Sequence, residues 1–335
     1  MHLEPCAEDN LAALKTDWNR LLRASYANTV FSTWEWQTCW WRNLADGDLR
    51  LSTVRAADGA LAAIFPCYRR VSSAGERLMR LVGCVEVADY LDLIVASGQE
   101  GPALALFVNS LAADTGWDTL ELCNIREGSP TLTFLPPMAR QAGFRAEVMQ
   151  ADVCPVIELP ATFDDYLLAL DKKQRHEIRR KLRRAQTEAN LEWYVAGEGH
   201  DLAEEVDVFL DLHSRSSRDK GEFMTPKMQA FFHDLARVMQ EAGWLQLIQL
   251  KLDGRREASL LSFDYDETIM LYNSGYDPAG HPSLSPGIVL VAIGIQHAIQ
   301  LRRNAFDFLR GDEEYKYRFG ARDKDVFRIL IRRGL

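Results

Sequence analysis

The chain has few cysteines, and their spacing does not suit a metal site. There are six among 335 residues, and no two of them form a CxxC pair. Zinc sites and the disulfide frameworks of small secreted domains both depend on closely or regularly spaced cysteines. The sequence therefore predicts no bound metal and no disulfide framework, and it favours a reducing, cytoplasmic setting.

Membrane-spanning and signal segments are also missing. The longest apolar run, 288–295, is far shorter than the roughly 20 residues of a transmembrane helix. Residues 1–10 contain Glu4, Glu8 and Asp9 in place of the basic and apolar regions of a signal peptide. The net charge of -9 makes the chain a poor general nucleic-acid binder. We therefore expect no membrane insertion, and a nucleic-acid partner only under the tRNA-dependent alternative described below.

Several catalytic signatures are missing as well. The sequence has no GxSxG nucleophile elbow, no Walker phosphate-binding loop and no GxGxxG dinucleotide fingerprint. Histidines and cysteines do not recur at the spacing of metal ligands. Any catalytic site must therefore rest on other residues.

What the sequence does contain is one order of elements that occurs twice. Each half has two strands joined by an Asp-Gly turn, a further strand, a helix and a closing strand. The turns at Asp58 and Asp253 lie 195 residues apart, and the glycines before the helices, Gly101 and Gly287, lie 186 apart. These similar offsets predict an internal duplication of one α/β unit, although such runs are also common in α/β folds.

The individual elements follow from apolar periodicity and turn residues. In the first half we expect helices at 9–24 and 102–114, a tryptophan-rich core segment at 31–41, and strands at 49–55, 61–68, 80–83, 90–96 and 118–124. In the second half we expect helices at 164–186, 201–215, 225–242 and 286–301, and strands at 245–251, 258–265, 269–274 and 305–309.

The start of the last predicted helix is the first candidate site. Ser285 is expected to cap the helix, Pro286 fits its first turn, and Gly287 lets a ligand approach the backbone. Residues 288–293 are uncharged, and the first turn has no acidic side chain, so free N–H groups and the positive end of the helix dipole suit a pyrophosphate. The matching position in the first half carries Glu100, which would repel a phosphate. An ordinary capped, buried helix is the alternative.

The second candidate site is the segment 306–320, where a strand runs into a short helix dense in titratable groups. Acyl transfer to an amine needs a base for the amine, a hydrogen-bond donor for the oxyanion and a proton for the leaving group. The segment offers groups for each role: Asp312, Glu313 or Glu314 as base, Tyr315 or Tyr317 as acid, and Lys316 or Arg310 to stabilise charge. A solvated helix with ion pairs is the alternative.

Two further features suit ligands. The stretch 172–184 contains eight lysines and arginines and one acidic residue, Glu177. It can bind the phosphates of a cofactor, a sugar nucleotide or an RNA, or it can be a solvated helix face. His213 can titrate near neutrality and serve a substrate, or it can be a structural histidine at a helix end.

These blocks resemble a known family. They are similar to bacterial GNAT-superfamily acetyltransferases of the cellulose-biosynthesis-protein-like group, relatives of the Fem peptidyltransferases, which carry two tandem GNAT-like domains. The resemblance rests on the blocks 31–36, 62–68, 89–93, 212–213, 220–221, 272–276, 285–287 and 306–311, and on Tyr315-Lys316.

The resemblance implies a mixed α/β fold of the α+β class, with two tandem GNAT-like acyl-CoA N-acyltransferase lobes. Their mixed, mainly antiparallel sheets would be flanked by helices. Residues 1–160 would form a degenerate GNAT-like domain, 161–195 a basic linker helix, and 196–335 a GNAT-like domain with the acyl-donor site.

The same resemblance implies transfer of an acyl group to an amine from acetyl-CoA or another acyl-CoA, without a metal. The acceptor would be a small molecule or an envelope or polysaccharide precursor. We expect donor contacts at Ser285, Pro286, Gly287 and Ile288, and catalysis by Lys316, Tyr315 and Glu314. Substrate contacts are expected at His213, Tyr272, Asn273, Asp307, Arg310, Asp89 and Tyr90.

Two alternatives stay open. The chain has Ser285-Pro286-Gly287 in place of the usual GNAT loop of the form Q/R-x-x-G-x-G/A. Tyr315-Lys316 with Phe319-Gly320 resembles the aromatic-Lys-x-x-Phe-Gly pattern of Fem-type enzymes, whose donor is aminoacyl-tRNA. Aminoacyl transfer from tRNA is therefore one alternative. A non-catalytic scaffold in exopolysaccharide assembly is the other.

Overall fold

The structure is a computed structural model that describes residues 1–84 and 87–334. They form two compact units. The first contains Met1–Val153 together with the C-terminal residues from Lys324 onward, and the second contains Cys154–Asp323. Each unit combines helices with largely antiparallel strands, which confirms the predicted mixed fold class. No helix in the described ranges has the length and apolar character needed to cross a bilayer.

Helices and strands succeed one another along the whole chain. The first part contains, in order, β1 (His2–Pro5), α1 (Leu11–Arg23), α2 (Trp34–Leu44), β2 (Asp48–Leu49), β3 (Ser52–Arg55), β4 (Leu61–Phe65), β5 (Cys67–Val71), β6 (Arg77–Leu81), β7 (Ile94–Val95), α3 (Glu100–Ala113), β8 (Thr119–Arg126), α4 (Pro130–Gln141) and β9 (Arg145–Glu158).

The second part begins with helices and ends with a strand. It contains α5 (Phe163–Ala169), α6 (Lys172–Glu188), β10 (Leu191–Val195), α7 (Leu202–Ser216), α8 (Arg218–Phe223), α9 (Pro226–Glu241), β11 (Leu245–Leu252), β12 (Arg255–Tyr265), β13 (Thr268–Tyr276), α10 (Pro286–Gln300), β14 (Ala305–Asp307), α11 (Glu314–Arg318) and β15 (Arg322–Arg332).

The two units contain the same order of strand directions. In the first, β5 and β6 pair antiparallel, β6 and β8 pair parallel across α3, and β8 pairs antiparallel with β15. In the second, β12 and β13 pair antiparallel, β13 and β14 pair parallel across α10, and β14 pairs antiparallel with the end of β9. Parallel neighbours need a crossover connection, so α3 and α10 hold equivalent places. The repeated order agrees with a duplicated α/β unit.

Two elements that the sequence predicts as continuous are each divided in two in the structure. The predicted strand 61–68 is two strands, β4 and β5, because Pro66 between them has no N–H for a strand ladder. The predicted helix 164–186 is also two, α5 and α6, because Asp171 accepts the N–H of Gln174 and caps a new helix. Of the predicted strand 90–96, only Ile94–Val95 is a strand. Six elements of the described chain lie outside every prediction: β1, α4, β9, β10, α8 and β15.

One pair of cysteines departs from the sequence-based expectation. Cys84 and Cys123 form a disulfide with a Cα–Cα distance of 6.1 Å. They are 39 residues apart in sequence, but β6 and β8 are neighbouring strands, so the turn after β6 lies beside β8. Cys39, Cys67 and Cys154 are buried without a disulfide and fill space as small apolar side chains.

In the second unit the sheet lies between two helical layers. On one face, α10 and α6 pack against the strands, and Leu290 joins Ile269 and Leu271 in the core. On the other face lie α7 and α9, where Phe232 contacts the ring of Tyr272. Because strands and α6 cover it on several sides, α10 is apolar nearly all round. This packing fixes where the N-terminus of α10 lies.

Candidate active site

Two parallel strands separate inside the second unit. The strands β13 and β14 pair over only a short stretch, Thr268–Met270 with Ala305–Asp307. Beyond it, β13 continues along β12 to Tyr276, while the chain after β14 turns at Leu309 and Gly311, both with positive φ. The separation leaves a groove between the end of β13 and the start of α10.

The groove has a volume of about 520 Å³ and a mostly apolar lining. Its walls are formed by 274–278, Pro282, 285–288, Val291 and Tyr315. The four predicted donor contacts, Ser285 to Ile288, are therefore brought together with one predicted catalytic residue, Tyr315. Asp277 is the acidic residue among those that line the groove in the described chain. Its carboxylate pairs with Arg215 at 2.8 Å.

Ser285 precedes α10 but does not cap it, so that expectation is wrong. Its backbone is left-handed, with φ 55° and ψ 58°, and its side chain accepts no hydrogen bond from the helix N–H groups. A capping serine has an extended backbone that turns its oxygen toward those groups. The Ser285 hydroxyl instead accepts a hydrogen bond from the ammonium of Lys181 on α6, at 2.6 Å.

The first turn of α10 keeps N–H groups available for a ligand. Pro286 has no N–H, and no described side chain caps those of Gly287 and Ile288. The turn contains no acidic residue, and the Lys181 ammonium adds positive charge beside it. Backbone N–H groups and the helix dipole both favour an anion at such a position. In the first unit Glu100 occupies the first turn of α3, where its charge opposes an anion.

Tyr315 forms a wall that the groove shares with a second cavity of about 550 Å³. The residue follows β14 on the short helix α11, and its ring meets that of Phe308 edge to face at a centroid distance of 6.0 Å. Burial, and then the charge of Glu313, raises the pKa of the Tyr315 phenol well above its usual range. The phenol therefore keeps its proton at neutral pH and is available as a hydrogen-bond donor.

The ammonium of Lys316 is buried and engaged by the backbone. It donates to the carbonyls of Leu309 at 3.1 Å, Arg310 at 2.8 Å and Gly311 at 3.0 Å, and it pairs with Glu313 at 2.9 Å. These contacts anchor the turn that leads from β14 to Tyr315. Among the described residues, Lys316 does not line either cavity, and its direct participation in catalysis stays a prediction.

Glu314, one of the three carboxylates predicted as a possible base, is paired with a cation. Arg318 lies one helical turn further on and pairs with Glu314 at 2.8 Å. The hydrogen bond and charge of Arg318 hold the pKa of Glu314 below its usual range. Glu314 lines the second cavity and not the groove. A carboxylate with a lowered pKa is a weaker proton acceptor.

A β-bulge in β13 decides which side chains face which helix. The register with β12 shifts between Leu271 and Asn273, so Tyr272 is an extra residue on β13. An extra residue reverses the alternation of side chains along a strand. Leu271 accordingly packs in the core with α10, whereas Oδ1 of Asn273 lies 3.1 Å from Nε2 of His213 on α7.

Because His213 is buried, acidification is expected to destabilise the fold. Burial, and then the charge of Lys220, lowers the pKa of His213 from 6.5 to about 4. Below pH 6.5 the unfolded chain binds a proton that the folded chain accepts only near pH 4. The free energy of unfolding should therefore fall as pH drops through this window, by about 3 kcal/mol in total. Urea unfolding at several pH values across the window measures it.

The variant that tests this assignment is His213→Gln, which removes the titrating ring and keeps an amide near Asn273. We expect it to flatten this part of the pH dependence. His233→Gln is the control, because His233 lies on the partly exposed side of α9 and pairs with Asp207. If wild type and His213→Gln lose stability at the same rate with falling pH, the assignment to His213 is wrong.

Gly275 is required by the close approach of α7 to β13. A Cβ there would lie 2.3 Å from the backbone nitrogen of His213 and 2.5 Å from the carbonyl carbon of Leu212. Backbone atoms cannot rotate aside, so α7 would have to shift. We expect Gly275→Ala to lower the free energy of unfolding by about 3 kcal/mol in urea titrations. The control is Gly197→Ala, whose Cβ meets nothing within 4 Å. Equal unfolding midpoints for the two variants would contradict this packing.

The other predicted substrate residues do not meet at the groove. Tyr272 is enclosed by phenylalanines of α9 and β12. Asp307 accepts the N–H of the residue two positions on, and Arg310 gives its carbonyl to the anchoring lysine. Asp89 and Tyr90 are buried in the first unit. In the described chain none of them lines the groove or the second cavity, and their substrate roles stay predictions.

Sequence reasoning did not single out two individual residues of the groove region, Tyr276 and Lys181. Tyr276 packs on the start of α10, since a Cβ at Gly287 would lie 3.4 Å from its ring. Lys181 belongs to the basic stretch, but only the packing of α6 on α10 shows which of its cations meets Ser285. Within the described ranges, no three His, Cys, Asp or Glu side chains converge where a metal ion could bind.

A known domain family matches the part of the chain that contains the groove. The family described as Acetyltransferase (GNAT) domain matches residues 172–317, from α6 to α11. No curated protein is significantly similar to the chain in sequence.

Solved structures show the same fold at low sequence identity. The crystal structure of FemX is 10% identical, with 98% of this chain and 97% of that chain covered and a TM-score of 0.70. L-PGS from Bacillus licheniformis is 12% identical, with 98% and 93% covered and a TM-score of 0.58. A tandem GNAT protein from the clavulanic acid biosynthesis pathway is 14% identical, with 98% and 97% covered and a TM-score of 0.53.

At such identities the likeness establishes the fold alone, whereas the domain match covers the strands and helices that build the groove. Residues 172–317 thus match the GNAT acetyltransferase domain family, and the chain has the fold of FemX and of the tandem GNAT protein.

Proposed function

We propose that the protein is an N-acyltransferase that moves an acyl group, acetyl in the simplest case, from acyl-CoA to an amine. One observation carries the proposal: the uncapped start of α10 opens onto an apolar groove that Tyr315 also lines. An acyl-CoA has matching parts, since its diphosphate suits the helix start and its uncharged arm suits the groove. Its thioester would then lie near the phenol.

The proposed donor contacts follow from this match. The N–H groups of Gly287 and Ile288 donate to the diphosphate, and Lys181 offsets part of its charge from the side of α6. The uncharged arm contacts Tyr276 and Val291, which both line the groove. No acidic group in the first turn of α10 opposes the phosphates.

The reaction proceeds by direct transfer, without a covalent enzyme intermediate. The amine nitrogen attacks the thioester carbonyl carbon, a C–N bond forms, and the C–S bond breaks. Tyr315 donates its phenolic proton to the departing sulfur and regains a proton from solvent. The amine loses its proton to water, because Arg318 lowers the basicity of Glu314. Lys316 supports the step by holding the turn before Tyr315.

The first unit is proposed to be a degenerate GNAT-like domain without a donor site of its own. Glu100 in the first turn of α3 stands where the second unit has no acidic residue. A single donor site per chain therefore follows. The proposed acceptor is the amine of a small molecule or of an envelope or polysaccharide precursor. The enzyme would bind this acceptor in the cytoplasm.

A second candidate is aminoacyl transfer from tRNA, the donor of the Fem-type enzymes that the chain resembles. The observation that favours it is the row of cations on α6 beside the start of α10. Phosphates of RNA suit such a row as well as those of CoA do.

A donor screen separates these functions. Acyl-CoA thioesters should raise the thermal midpoint, because a ligand that binds only the folded state stabilises it. Release of CoA thiol should follow when a suitable amine is added. Binding of tRNA at low salt without any response to acyl-CoA would replace the proposal by the second candidate. A protein that binds neither would fit a non-catalytic scaffold.

A further inference from the structure

A second cavity adjoins the groove through shared residues. Ile288 and Tyr315 line both spaces. The second cavity, of about 550 Å³, lies between α6 and α11. Half of its lining residues are charged, and Ile178 and Phe319 form an apolar floor, whereas the groove is mostly apolar. The start of α10 therefore lies where an apolar space meets a charged one.

The cations of α6 divide between two sides of the helix. Arg179 and Arg184 pair with carboxylates of α5 and α6 and do not line the cavity within the described chain. Lys173, Arg180 and Lys181 do line it. The basic stretch 172–184 is therefore partly a solvated helix face and partly the wall of a cavity.

The cavity wall carries excess positive charge. Arg318 of α11 joins the three cations of α6, against two carboxylates, Glu177 and Glu314. Both carboxylates are already paired, the first with Arg180 at 2.7 Å and the second with Arg318 at 2.8 Å. Lys173 forms no ion pair among the described residues. A chain with a net charge of -9 thus presents a cationic space beside its donor groove.

We propose that this cavity holds the nucleotide end of the donor, with the 3′-phosphate of CoA at Lys173 and Arg180 and the adenine over Ile178 and Phe319. The inference rests on the proposed function. Along acyl-CoA the thioester arm, the diphosphate and the phosphorylated nucleoside follow one another. On the protein, the start of α10 borders both spaces: residues 285–288 line the apolar groove, and Ile288 also lines the cationic cavity. Phosphate monoesters carry more charge than bridging phosphates, which suits the wall that contains Lys173, a lysine without an ion pair among the described residues.

The test compares CoA with 3′-dephospho-CoA by isothermal titration calorimetry. Wild type should bind CoA about tenfold more tightly, because only CoA carries the phosphate that Lys173 meets. Lys173→Met should remove most of this preference by weakening CoA about tenfold, while dephospho-CoA changes less than about twofold. Arg183→Met is the matched control. It removes one cation from the exposed side of the same helix and should change neither affinity.

The outcomes separate the inference from the function on which it rests. Equal wild-type affinities for the two ligands, or a preference that survives Lys173→Met, would overturn the inference and leave acyl-CoA transfer standing. Failure of both ligands to bind wild type would end the proposed function too. Binding of a tRNA acceptor stem that Lys173→Met abolishes, with no response to CoA, would assign the cavity to nucleic acid. Circular dichroism checks that each variant is folded.

Discussion

Replacing Tyr315 by phenylalanine is expected to lower kcat for acyl transfer by about 100-fold, with little change in acyl-CoA affinity. A positioned general acid contributes rate factors of this order, and the thiolate must otherwise leave without a proton. Phenylalanine keeps the ring that meets Phe308 edge to face, so the fold should be retained. Release of CoA thiol in the presence of an amine acceptor measures kcat, and calorimetry measures affinity.

Tyr317→Phe is the matched control on the same helix. Its hydroxyl donates to Asp323 at 2.8 Å, and it does not line the groove or the second cavity in the described chain. This variant should keep kcat within about twofold, since it loses one partly exposed hydrogen bond. A full rate in Tyr315→Phe would show that the leaving group takes its proton from elsewhere. Equal losses in the two variants would point to damage to α11.

Replacing Gly287 by glutamate is expected to weaken acetyl-CoA binding by about 100-fold while leaving the protein at least as stable. The new carboxylate would stand at the N–H groups proposed for the diphosphate, where like charges repel. The same carboxylate interacts favourably with the helix dipole, so α10 itself should not be weakened. The Cβ would be in ordinary contact with Tyr276, at 3.4 Å from its ring. Loss of binding without loss of stability distinguishes a ligand site from a packing defect.

Two further variants at Gly287 separate charge from size. Gly287→Gln has nearly the size of glutamate without its charge and should weaken binding less. Gly287→Ala should bind within about threefold of wild type, because its Cβ has room and alanine favours a helix over glycine. Calorimetry with acetyl-CoA gives the affinities, and thermal unfolding gives the stabilities. Unchanged affinity in Gly287→Glu would remove the donor from the start of α10.

Long periodic elements could be predicted from the sequence, whereas breaks within them could not. The helices at Leu202–Ser216 and Pro226–Glu241 lie close to their predicted bounds, because capping residues and apolar periodicity agree there. Pro66 and Asp171 divided elements that periodicity joined. Strands such as β9 and β15 have partners far away in sequence, so local pattern carries little information about them.

The candidate site was predictable in part. The residues from Ser285 to Ile288 and Tyr315 were singled out from their order along the chain, and the structure brings them to one groove. The backbone conformation and the hydrogen-bond partners at the site were not predictable. The left-handed backbone of Ser285 and the three carbonyls around Lys316 depend on tertiary packing.

The bulge in β13 shows the same limit at the level of one strand. Alternation of side chains places Leu271 and Asn273 on one face, but the extra residue Tyr272 sends Asn273 toward His213. A one-residue shift of register is not encoded in apolar periodicity. Contacts that depend on it, including the requirement for Gly275, emerge only from the assembled sheet.

The central claim is that acyl-CoA binds with its diphosphate at the start of α10 and its thioester near Tyr315. A crystal structure of the complex with acetyl-CoA tests it most directly. We expect phosphate oxygens within hydrogen-bonding distance of the N–H groups of Gly287 and Ile288, and the sulfur within reach of the Tyr315 hydroxyl. A donor bound away from α10, or a thioester that lies far from Tyr315, would contradict the account.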